Sequence, residues 1–263
     1  MMDMTLLSIL APAMVAGILV LSTHVVLGRQ VLKRGIIFID LAIAQFAALG
    51  AVLAHTLHAH HDHGSHADHA GHGAMIGLEF LLPALFALVA AALIAALERY
   101  FKPELEALIG SLYVVSAVAA MLLLSGDPHG GELLHQILSG QILWTGWGDL
   151  ILPALLSLLV LALILFWPQS LHGPLFYLMF ALVIPFSVQL VGVYLVFSSL
   201  ILPALAVNQL QGRRAQIWGL ITGITGYGIG LWLSAGFDLP SGATVVVTLA
   251  AVAILVRVVV RPK

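Results

Sequence analysis

The stretch LFYLMFALVIPFSVQLVGVYLVFSSLILPALAVNQL, Leu175 to Leu210, runs for thirty-six residues without a charged side chain. A helix rises about 1.5 Å per residue and the hydrocarbon core of a bilayer is about 30 Å thick, so this stretch is long enough for two spans. Pro185, Gly192 and Pro203 lie within it. Proline removes a helical donor and glycine loosens the backbone. The pattern therefore predicts a span to about Val191, a break near Gly192 and a shorter helix to about Asn208.

Outward from there, runs of near twenty apolar residues mark spans at about 8–28, 36–57, 76–97, 108–125, 149–167, 215–235 and 241–260. That makes nine crossings in an all-α, polytopic chain. The composition agrees: 61% hydrophobic residues, 8% charged residues and a mean hydropathy of +1.10 belong to a protein solvated by lipid. The chain reads as one membrane domain over 1–263. Its opening, MMDMTLLSILAPAM, lacks the basic n-region of a cleaved signal peptide and continues into the first span. A net charge of −2 argues against nucleic acid as a partner. With no cysteine, any bound metal must be held by nitrogen and oxygen ligands.

All ten basic residues fall in four groups, Arg29/Lys33/Arg34, Arg99/Lys102, Arg213/Arg214 and Arg257/Arg261/Lys263. Nine spans put every group on one side, which the positive-inside rule makes the cytoplasm. The N-terminus then lies outside and the C-terminus inside. Gln169–Pro174 is the one predicted inner loop without a base. The outer side receives three segments free of Lys and Arg: SGDPHGGELLHQ from Ser125, AGFDLPSG from Ala235, and a His-rich loop over 55–73.

That loop holds eight of the twelve histidines: His55, His58, His60, His61, His63, His66, His69 and His72. Neutral imidazole is the commonest side-chain ligand of zinc-like metals, so a tethered imidazole tract at a membrane surface points to transition-metal handling. A His/Asp/Gly tract also has the composition of a plain soluble connector. LLPAL at 81–85 and ILPAL at 151–155 and 201–205 reflect the Leu/Ala/Ile-rich composition and carry no weight as a repeat.

Enzyme signatures are missing: there is no HExxH, no phosphate loop with Lys and no GxSxG elbow. ATP hydrolysis by this chain is not expected. As candidate metal ligands the spans offer little: His24, Asp40, Gln45 and, near the inner end of the seventh, Asn208. An acid in a bilayer costs a few kcal/mol unless it is paired or wet. Asp40 therefore either lines a path, with Gln45 beside it, or sits at the inner mouth paired with Arg29, Lys33 or Arg34.

Four segments carry a resemblance. GVYLVFSSLILPALAV (Gly192–Val207) resembles the vGxxLvxxlLixPAxxA stretch of the membrane permeases of zinc/manganese/iron ABC importers. DLPSGATVVVTLAAVAIL (Asp238–Leu255) is similar to that family's D-x-P-[ST]-G start of the final span. LLHQILSGQILWTGWGDL (Leu133–Leu150) resembles its L-x-G-x-[IL]-L…DL element, and PELEALIGSLY (Pro103–Tyr113) its [ED]-x-x-I-G segment. The four occur in the family's order over nearly the whole chain. Three departures are visible. The family's D-x-x-x-H pore station is here IDLAIAQFAALG, with Gln45 near the His position and one residue too far from Asp40. Ala206 and Val207 replace the Thr and final Ala after the PA pair. PQSLHGP at 168–174 replaces the D-x-[ED]-x-A loop.

The resemblance implies a vitamin-importer-like, type II permease working as a homodimer with a pore on the dimer axis. It implies two separate ATP-binding cassette subunits and an extracytoplasmic metal-binding protein, in a bacterial inner membrane. It also implies that Pro203, Ala204, Ala206, Asn208 and Gln211 form a cytoplasmic helix docked in an ATPase groove. No cofactor is bound permanently. The cargo is Zn²⁺, with Mn²⁺ and Fe²⁺ as alternatives, since imidazole favours zinc. The rivals are a secondary metal carrier with a His-rich loop, which should show intramembrane His/Asp/Glu clusters at i, i+4, and a scaffold whose loop buffers metal.

Overall fold

The structure, a computed structural model, describes residues 4–62, 70–140, 142–171 and 173–260, and the side chains of these except 4–7, 58–62 and 70–78. Among the described residues there are ten α-helices and no strand: α1 Met4–Arg34, α2 Ile39–Asp62, α3 Ala70–Tyr100, α4 Leu105–Leu123, α5 Gly130–Ser139, α6 Ile151–Phe166, α7 Pro174–Val191, α8 Val193–Ala206, α9 Gly212–Phe237 and α10 Ser241–Val259. Eight have a segment long and apolar enough to cross a membrane. The remaining long apolar helix, α8, has 14 residues, about 21 Å at the usual rise.

α7 is the core. Two thirds of it (67%) is buried, against 22% for α4, α6 and α10, because α2 and α3 pack along it while α4, α6 and α10 keep outer faces. α8 lies between α1 and α10, and α9 packs on the same two helices. Lipid tails give no hydrophobic drive between helices, so close approach at small residues has to hold them. The α1–α9 seam shows it. Tyr227 lies where a side chain on Gly17 would go, Leu21 fills the space over Gly223, and Val25 the space over Gly219. Gly17, Leu21 and Val25 recur every four residues and so form one ridge. Four residues before Gly28, whose backbone approaches the Leu200 carbonyl, sits His24.

The break at Gly192 occurs where the sequence predicts it, with φ +80° separating α7 from α8. Two other readings need correction. The separate cytoplasmic helix expected over Pro203 to Gln211 does not form: α8 runs through Pro203 to Ala206, residues 207–209 form a turn, and α9 begins at Gly212. The outer connection after Ser125 contains a helix of its own, α5, too short to register as an apolar run.

The basic groups gather at one end of the bundle. Arg29 donates to the Gly212 carbonyl (3.4 Å), beside Arg213, and Arg257 to the Leu205 carbonyl (3.0 Å). Arg34 pairs with Glu98 (3.6 Å), lies 4.1 Å over the Phe176 ring and donates to the Leu171 carbonyl (2.9 Å). The base-poor loop at 169–174 thus receives its cation from α1. Arg261 and Lys263 lie outside the described residues.

Candidate translocation pathway

A cavity of ≈ 270 Å³ opens at the other end, between α2 (Ala47, Ala48, Ala51), α3 (Pro83), α5 (Leu133, Gln136, Ile137) and α7 (Pro185, Val188, Gln189). Gln136 and Gln189 supply its polar side chains, and both are exposed to it. At about 100° per residue, Ala44, Ala47 and Ala51 each fall within about 40° of Asp40 on α2. Asp40 is therefore on the stripe that lines the cavity, about 16 Å deeper than Ala51. Gln45 lies about 140° away, so the two predicted pathway residues do not share a face. The spacing already contained this: five residues is not a turn of helix.

Asp40 is fully buried, and neither carboxylate oxygen has a hydrogen-bond partner. It occupies the first turn of α2, where the helix dipole favours an acid. The pairing with Arg29, Lys33 or Arg34 is not formed; Arg29 and Arg34 are engaged elsewhere. The nearby charge is an acid, Glu106 of α4, whose Oε1 accepts the Phe38 N–H (3.2 Å). Both carboxylates retain a buried unpartnered oxygen. His24 is buried on α1 with its Nε2 unpartnered and Nδ1 3.3 Å from the Thr23 hydroxyl. Among the described residues no three His, Asp or Glu side chains converge on a metal position.

A second cavity of ≈ 400 Å³ shares Gln189 with the first and adds Phe80, Trp144, Thr145, Asp149 and Phe186. Beside the first cavity, which Gly140 helps to line, the backbone is crowded. Gly140 (φ +68°) abuts Val191 and Gly192, Gly192 abuts Ser139 and Gly140, and Gly242 abuts the Ser139 carbonyl. These glycines come from three of the four segments that carry the resemblance, and the fourth supplies Glu106. The motifs thus mark a backbone crossing at one end and an acid pair towards the other.

Of the eight histidines, His55 is exposed on α2. The side chains of His58, His60, His61 and His72, and the residues His63, His66 and His69, lie outside the described set, although the helical backbone of α2 reaches Asp62 and that of α3 begins at Ala70. In the predicted coupling segment Pro203, Ala204 and Ala206 are buried, whereas Leu205, Asn208 and Gln211 are exposed. Ala204 faces Gly28 of α1. An Ala204→Trp chain should accordingly misfold, at a cost of at least about 1–3 kcal/mol of overpacking, rather than uncouple a partner. Loss of monodisperse protein on gel filtration checks this; Asn208→Trp should remain monodisperse.

A model of the ABC 3 transport family matches residues 7–176 and 168–260, and the chain belongs to that family. It is similar to the manganese transport system membrane protein MntC of Halalkalibacterium halodurans, 26% identical over 265 residues, covering 91% of this chain and 83% of that protein. Among solved structures it is similar to PsaBC from Streptococcus pneumoniae in complex with Fab, with a TM-score of 0.71 and 21% identity, covering 94% of this chain and 90% of that one. This last likeness is one of fold.

Proposed function

We propose that this chain is the permease subunit of an ATP-driven importer of a divalent transition metal ion, working as a homodimer in a bacterial inner membrane. The observation that carries the reading is the family match over nearly the whole chain. Its partners are a second copy, two ATP-binding cassette subunits and an extracytoplasmic metal-binding protein. α8 is the ninth crossing, a reading supported by its packing on α10, whose Arg257 donates to the Leu205 carbonyl, and the fold is type II. The base-rich end is cytoplasmic. ATP turnover in the partner shifts the subunit between outward- and inward-open states, while this chain supplies a path and no bond chemistry.

An ion entering the Gln136/Gln189 cavity meets amide oxygens, then an alanine-lined stretch of α2, then Asp40 and Glu106 at the inner end. Zn²⁺ is the first cargo because the 55–72 segment is rich in imidazole. Mn²⁺ is the second, favoured by the oxygen donors along α2 and α7 and by the manganese named for the Halalkalibacterium relative. Exposed Leu205, Asn208 and Gln211 are the contacts for the ATPase.

The test is ⁶⁵Zn and ⁵⁴Mn uptake by proteoliposomes holding the chain with its copurified ATPase. ATP-dependent accumulation of either metal supports the reading. Accumulation driven by an ion gradient without any ATPase makes the chain a secondary carrier instead. Deleting residues 58–72 should slow uptake at scarce metal and leave the saturated rate unchanged, because a flexible ligand tract captures ions without preorganising a site. Loss of the saturated rate in a well-folded deletion would place the segment on the obligatory path.

A further inference from the structure

α5, whose Gln136 lines the pathway cavity, carries two further polar side chains, Glu132 and His135, to which the pathway gives no role. Its residues Glu132, His135, Gln136 and Ser139 are spaced i, i+3, i+4, i+7 and form one polar face, while Leu134, Ile137 and Leu138 face inward. Gln136 lines the cavity, and Glu132 and His135, one helical turn and one residue before it, are exposed outside the lining. A carboxylate and an imidazole three residues apart on a helix have Cβ atoms about 5–6 Å apart, within reach of one ion.

The hydrogen bonds select the ring nitrogen. Ser139 Oγ donates to the His135 carbonyl at 2.7 Å, so its proton is committed. The same oxygen lies 3.4 Å from His135 Nδ1 and can only accept there. In the tautomer that this contact favours, the proton sits on Nδ1 and Nε2 presents a lone pair to the solvent, the arrangement by which an outer partner orients a metal-binding histidine. The neighbouring pair differs: Asp127 Oδ1 is turned onto the His129 N–H (2.8 Å) and closes its own turn.

We propose that Glu132, His135 and Gln136 form a transfer station for a divalent first-row metal ion at the outer rim of the cavity. The site rests on the reading of the chain as a metal permease. It offers one carboxylate oxygen, one imidazole nitrogen and one amide oxygen, a mixed set suited to Zn²⁺ or Mn²⁺. The remaining coordination positions are open to water or to a donor's ligands. Such a site accepts an ion by ligand exchange and releases it toward Gln189 without trapping it.

The test uses the full chain in nanodiscs with all eight histidines of the 55–72 segment changed to Ser, so that the segment cannot mask the site. Co²⁺ is the probe, read by its visible d–d absorption. The parent should bind Co²⁺; His135→Gln and Glu132→Gln should each weaken binding at least about tenfold, and Ser139→Ala by roughly tenfold through loss of the ring's orientation. His129→Gln should change nothing. No Co²⁺ binding by the parent, or binding indifferent to His135→Gln and Glu132→Gln, overturns the station. ATP-driven uptake by the complete transporter is measured separately. Normal uptake with indifferent binding sinks the station alone, whereas the expected binding pattern with no divalent-metal uptake sinks the transport reading and leaves the metal site standing.

Discussion

A Gly192→Ala chain is expected to lose its native packing. Gly192 has φ +80° and ψ 162°, a region that is essentially glycine's own, where an L side chain costs of order 1–3 kcal/mol. The added Cβ would also strike the backbone of Ser139 and Gly140, which cannot swing aside as a side chain would. Overpacking of this kind adds about 1–3 kcal/mol. Gly173 separates the two effects. Its φ +73° and ψ −159° lie in the same region, yet nothing lies within 4 Å of an added Cβ. Gly173→Ala should therefore lower the thermal midpoint in detergent modestly, and Gly192→Ala should yield little monodisperse protein. Equal behaviour of the two would show that the crossing at Gly192 is not tight.

Asp40→Ala should do the reverse, giving a more stable protein that no longer transports. A buried polar group without a partner costs about 1–3 kcal/mol, and the carboxylate of Asp40 has none at either oxygen. Removing it should raise the thermal midpoint by a few degrees, at about 2–4 °C per kcal/mol for a chain of this size. Uptake should fall more than about tenfold, the loss expected when roughly 1.4 kcal/mol of interaction with the ion is removed. A stabilised chain with inactive transport is the signature of a group kept for function. Wild-type uptake by a well-expressed Asp40→Ala protein would take Asp40 out of the path.

The spans were legible because lipid imposes a length on every apolar run, and the Lys/Arg groups ordered their ends. The Gly192 break was legible too, glycine being the residue that tolerates its backbone angles. The separate helix expected from Pro203 onward misled because burial between α1 and α10 carries α8 straight through the proline. α5 was hidden by length: ten residues with a mixed face form no apolar run, although the i, i+3, i+4, i+7 spacing of Glu132, His135, Gln136 and Ser139 was the signal that could have found it. Gln189 had no signal at all. A single amide in an apolar span reads as noise until two cavities are seen to meet at it. The inward facing of Ala204 was equally invisible, since alanine suits a groove in a partner and a seam within the chain alike.

The α1–α9 seam sets a condition on biosynthesis. Gly17, Leu21 and Val25 leave the ribosome about 200 residues ahead of Gly219, Gly223 and Tyr227, which complete their surface. At about 5–20 residues per second, α1 waits roughly 10–40 s in the bilayer before its partner exists. During that interval the ridge of Gly17, Leu21 and Val25 faces lipid or whatever chaperone occupies the insertion site. A nascent chain stalled before Gly219 should thus remain bound to the insertion machinery, and release should coincide with the arrival of α9.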